Sequence, residues 1–95
     1  MAEYNALQIP PGAQEKGGVE VLRAAVIDGG LHVTLRRAFD DPQAWGILLA
    51  DVARQVARVY DQQGERKEAE VMSVIRNAFA TQMDAVADSG NIAPV

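Results

Sequence analysis

Cysteine is absent from the 95-residue chain, which removes disulfides, thiolate nucleophiles and thiolate metal sites together. Histidine and tryptophan occur once each, and aromatic residues make up only 5%. No apolar stretch approaches the ~18 residues needed to cross a bilayer. The N-terminal run MAEYNALQIPPG has neither a basic leader nor an apolar core, so no signal peptide is expected and the expected location is the cytoplasm. Basic residues are the minority, 9 Lys and Arg against 13 Asp and Glu, for a net charge of -4. The acidic excess lies in residues 41–95, where eight acids face five bases. A polyanion is repelled by such a chain, so nucleic acid is disfavoured and no membrane partner is expected.

What is present suits a folded domain: 48% hydrophobic and 23% charged residues are ordinary for a globular protein. Residues 1–18 read as an N-terminal arm, because Pro10, Pro11, Gly12, Gly17 and Gly18 break any period. Within it Leu7 and Ile9 alternate, which allows a short docked strand. Residues 88–95 read as a flexible tail. The span 19–87 between them is expected to form one α+β domain, an antiparallel β-hairpin followed by two antiparallel amphipathic helices (ββαα).

The hairpin signal is VEVLRAAVIDGGLHVTLRR, two β-rich runs around Asp28, Gly29 and Gly30. Leu31, Val33 and Leu35 fall on one face of the second strand; His32, Thr34 and Arg36 fall on the other. A two-residue turn at Asp28-Gly29 sets Val26 opposite Leu31, Ala24 opposite Val33, Leu22 opposite Leu35 and Glu20 opposite Arg37. Moving the turn by one residue would oppose Arg23 to Arg36, a like-charge pair, so Asp28-Gly29 is preferred.

The first helix is expected from Asp40-Asp41-Pro42, where an aspartate can cap free N–H groups and proline suits the first turn, to about Gly64. At ~100° per residue its polar residues occupy a stripe of Asp51, Arg54, Gln55, Arg58, Asp61 and Gln62. Trp45, Leu48, Leu49, Val52, Ala53, Val56, Ala57, Val59 and Tyr60 fill a far wider apolar arc. Ile47 falls on the polar stripe, so AWGILLA is apolar all round and needs a cover. The second helix is expected over 65–87 with Val71, Met72, Val74, Ile75, Ala78, Phe79, Met83 and Val86 on its apolar half. Trp45, Met72, Phe79 and Met83 read as core at this spacing. Gln82 sits among them and needs a hydrogen-bond partner if buried, for instance its own copy across a two-fold axis.

An isolated hairpin leaves two open edges. The arm or a second copy, extending the sheet to four strands, is the expected cover. A homodimer is therefore expected.

The segments NALQIPP, VEVLR, GGLHVTL and DPQAWGILLADVARQVARVY, in that order, resemble a small family of bacterial proteins classed as a domain of unknown function. The resemblance spans most of residues 5–62 and weakens in the second helix. It implies a bacterial, cytoplasmic protein and supplies no reaction, ligand or functional residue.

No constellation commits the chain to a catalytic residue, a metal or a cofactor, and none is expected. Arg23, His32, Thr34 and Arg36 share a hairpin face that could hold a small carboxylate or phosphate. A solvated or partner-facing sheet surface explains the same residues more simply. Thr34 beside His32 lacks an orienting acid and reads as coincidence. Asp61, Glu65 and Glu68 recur near the interhelical turn, but Arg66 and Lys67 intervene, and a salt-bridged turn is expected there. The leading function is a non-enzymatic interaction module acting as a homodimer, with Trp45, Ile47, Leu48, Leu49 and Gln82 as the candidate interface. An unidentified protein partner is the other occupant considered for that surface. A small anionic-ligand binder or minor enzyme using the hairpin face is the alternative.

Overall fold

The computed structural model describes residues 2–86, and the expected tail at 88–95 lies outside them. In chain order the elements are α1 (Ala13–Lys16), β1 (Leu22–Ile27), β2 (Gly30–Leu35), α2 (Gln43–Gln62) and α3 (Glu68–Val86). This is the expected α+β order of a hairpin and two helices, with one added helical turn in the arm. The chain divides into two compact units, Met1–Asp40 and Asp41–Val95.

In the first unit β1 and β2 pair antiparallel with Leu22 opposite Leu35, Ala24 opposite Val33 and Val26 opposite Leu31. The turn is the expected Asp28-Gly29, and both residues take positive φ, 50° and 79°. That is the type I′ geometry whose twist matches the flanking strands, and Gly29 adopts it without steric cost. The ladder closes with the Arg36 N–H donating to the Val21 carbonyl at 3.1 Å. The ladder of β1 and β2 stops short of the expected Glu20–Arg37 pair. Glu20 bonds instead to Arg23, and Arg37 lies 3.6 Å from Asp40, because the strands end before position 20 and local partners win.

The arm differs from its expectation too. Residues 2–9 carry no strand, and Leu7 is 95% exposed. Its helical turn at Ala13–Lys16 is bracketed by Gly12 and Gly17, both in positive φ.

In the second unit Asp41 starts α2 as expected: its Oδ1 accepts the Gln43 N–H at 2.9 Å. The helix ends in a Schellman motif, in which the Glu65 N–H donates to the Tyr60 carbonyl and the Gly64 N–H to that of Asp61. Gly64, at φ 74°, supplies the left-handed residue this stop requires. The next helix begins at Glu68, three residues later than expected. Its first N–H donates to Asp61 Oδ2 at 3.0 Å, so one aspartate at the end of α2 caps α3 across the turn. Arg58 Nε lies 4.0 Å from Glu68 on the same side.

Replacing Asp61 by Ala strips that cap and should cost about 1 kcal/mol. Gly64→Ala forces a Cβ into the left-handed region for a similar loss. Thermal melts lower by several degrees for both variants are the expected result; unchanged melts would mean that the turn contributes nothing to helix pairing.

Burial in this unit is concentrated near the turn. Among the described residues Ala57 and Val71 are the most buried, with Ala53, Met72 and Ile75 half-buried around them. Farther along α3, every residue from Arg76 to Ala85 is exposed. Phe79 and Met83, read as core from their spacing, are 51% and 62% exposed. Spacing marks an apolar face but is silent on whether the same chain covers it.

Candidate functional site

The hairpin ladder places Arg23 opposite Thr34 and Ala25 opposite His32. The two-residue period therefore sets Arg23, His32, Thr34 and Arg36 on one face, as expected. Only three of the four converge. Glu20, Arg23, Thr34 and Arg36 line a shallow open depression at the free end of the hairpin. His32 lies outside it, with Nε2 only 3.8 Å from where a Cβ on Gly30 would stand, so the ring leans toward the turn.

The guanidinium of Arg23 is already engaged. Its Nε and Nη2 each donate to a Glu20 carboxylate oxygen at 3.0 Å, and Nη1 donates to the Tyr4 hydroxyl at 3.5 Å. The Tyr4 hydroxyl first, and the Glu20 carboxylate second, hold the Arg23 pKa above its ordinary value. This fork-to-fork pairing is the geometry an incoming carboxylate or phosphate would need. An anion entering here competes with Glu20, an internal carboxylate. Solvent screens so exposed a pair, which limits its contribution to stability.

Sequence reasoning missed both Glu20 and Tyr4 as partners of Arg23. A strand pattern has no rule for an (i, i+3) ion pair at its entry, and no local signal connects residues nineteen apart.

The second candidate surface lies on the helices. Trp45 and Leu48 are half-buried, Leu49 is exposed and Ile47 is 62% exposed. Gln82, which needed a partner if buried, is exposed. Because the helices are antiparallel, positions equally far from the Asp61–Glu68 bond lie level. Fourteen residues back from Asp61 is Ile47, and fourteen on from Glu68 is Gln82. Ile47 and Gln82 are therefore level with one another, at the end of the helix pair away from the turn. Nearer the turn, Val56, Tyr60, Val71, Val74 and Ile75 line an open groove between α2 and α3, with Arg66 at its rim. The carboxylates of Asp61 and Glu68 are accounted for locally, the first as a cap and the second beside Arg58.

Comparison with protein families finds a match over residues 6–86 to the model described as Domain of unknown function (DUF5076). The chain belongs to this family. The membership agrees with the expected resemblance to a domain of unknown function, and the match runs through α3. Comparison with curated proteins finds no match. A solved structure from the photosynthetic bacterium Rhodopseudomonas palustrus CGA009, described as "a putative pyruvate dehydrogenase", is 39% identical with a TM-score of 0.71. The alignment covers 88% of this chain and 99% of that one. Among the described residues no helix is long and apolar enough to cross a membrane.

Proposed function

We propose that this protein is a non-enzymatic interaction module that works as a homodimer, its contact surface formed by the outward apolar faces of α2 and α3. The observation that carries this reading is the uncovered run Arg76–Ala85, with Phe79 and Met83 one helical turn apart on it. Leu49, Val52, Val56, Val59 and Tyr60 are exposed on the apolar arc of α2, and Val74 is exposed on α3. Burying a large apolar side chain completely yields about 1.5–3 kcal/mol, so each half-exposed one withholds roughly 1 kcal/mol. Eight such side chains withhold an amount similar to the ~5–15 kcal/mol net stability of a whole domain. A helix pair from a second copy would recover it as a four-helix bundle, the usual way for two-helix hairpins to close a core.

The alternative, a small-anion binder or minor enzyme on the hairpin face, has less support, since Glu20 occupies the Arg23 fork. A cysteine-free chain of this kind suits a reducing cytoplasm.

Sedimentation equilibrium from low to high micromolar concentration tests the proposal. A dimer is the expected species; a cooperatively folded monomer at high micromolar concentration would overturn it.

A further inference from the structure

The register of the hairpin determines which backbone groups remain unused. With Arg36 donating to Val21, and with Ile27 opposite Gly30 at the turn, the hydrogen-bonded pairs are 21–36, 23–34, 25–32 and 27–30. Residues 30, 32, 34 and 36 therefore turn their N–H and C=O groups inward to β1. Leu31, Val33 and Leu35 turn theirs outward, along an edge that carries no charged residue, proline or bulge to block pairing.

That edge is complementary to itself. An antiparallel two-fold pairing centred on Val33 sets Val33 opposite the same residue of the second copy and Leu31 opposite Leu35. All three outward residues then exchange hydrogen bonds, and apolar side chains stay on one face while His32 meets Thr34 on the other. The ends of β2 match as well. Arg36 and Arg37 follow it and Asp28 precedes it, so the basic end of one copy lies beside the acidic turn of the other. The β1 edge fails the same test. Its outward residues are Leu22, Ala24 and Val26, and a two-fold centred on Ala24 sets Glu20 directly opposite Asp28 of the other copy, a like-charge pair that opposes association.

We infer that β2 is the edge through which two copies join their hairpins into a four-stranded antiparallel sheet, ordered β1-β2-β2-β1. The inference rests on the self-association proposed above, because a ladder of three residues per copy is smaller than a stable interface of about 1,200–2,000 Å² requires by itself. It names which part of the hairpin the assembly uses.

Amide hydrogen exchange reads this without altering the chain. In the assembled protein the Leu31, Val33 and Leu35 amides should exchange at least about tenfold more slowly than the outward amides of Leu22, Ala24 and Val26, and the protection should fade on dilution. Cross-linking gives a second measurement in a chain without cysteine. A hydrogen-bonded antiparallel pair holds its Cα atoms about 5.5 Å apart, inside the range a disulfide spans. Val33→Cys should therefore oxidise to a covalent dimer, and Val26→Cys, on the far strand, should not. If the wild type is assembled while those three amides exchange freely and Val33→Cys cross-links no faster than Val26→Cys, the β2 edge is not the joint, though self-association stands. A wild type that sediments as a folded monomer removes both.

Discussion

The paired substitutions Phe79→Lys and Met83→Lys are expected to convert the assembled protein to a monomer with reduced helicity at low micromolar concentration. In a lone chain these side chains are half in solvent, and surface changes of that kind usually fall within about 0.5 kcal/mol. In a dimer each substitution acts twice, removing four buried apolar groups worth roughly 1.5–3 kcal/mol apiece when fully covered. Four charges then face the seam as well. The two hypotheses differ by several kcal/mol, which is several powers of ten in the dissociation constant. Lysine is a good helix former and suits a helix C-terminus, so any loss cannot be attributed to propensity or to the helix dipole. Ser73→Lys, at another exposed position of α3, is the matched control and should leave sedimentation and circular dichroism unchanged. If the double variant behaves like that control, the distal half of α3 makes no contact in solution.

Ala57→Leu tests the opposite end of the helix pair. Ala57 has no solvent exposure at all, so three added carbon atoms have no space and must separate the helices or adopt a strained rotamer. Overpacking of this kind costs about 1–3 kcal/mol. For a chain of this size each kcal/mol lowers the melting temperature by about 4–8 °C. A fall of roughly 10 °C is therefore expected in a thermal melt. Ala50→Leu, at an exposed position of the same helix, should change the melt little. Equal melts for the two variants would mean that α2 and α3 do not meet at Ala57.

Several features are legible in the sequence because they depend on neighbours along the chain. The alternation of Leu31, Val33 and Leu35, together with Asp28-Gly29, determines the hairpin register without reference to anything distant. Asp41-Pro42 and Gly64 mark the start and stop of α2 by backbone chemistry alone. The sequence alone places the start of α3 three residues early because Glu65 and Arg66 are good helix formers, while the Asp61 cap that selects Glu68 comes from the preceding helix. The short helical turn of the arm depends on two glycines that, in sequence, only signal irregularity. For the hairpin face, shared orientation of Arg23, Thr34 and Arg36 follows from the period of two. Occupation of Arg23 by Glu20 and Tyr4 does not, since side-chain reach at a strand end has no periodic signature. The apolar faces of α2 and α3 were legible as faces. Their exposure was not, because burial depends on what packs against a residue rather than on where it recurs.

The bond from the Glu68 N–H to Asp61 joins positions only seven apart, and its consequence is one of timing. Loops of about ten residues close in roughly 10–100 ns, far faster than two molecules at micromolar concentration can meet. In the homodimer proposed above, the helices would thus be joined at one end before two copies meet. Dilution should then act like a zipper opened from the far side, melting α3 from its C-terminal half inward while the fastened end persists.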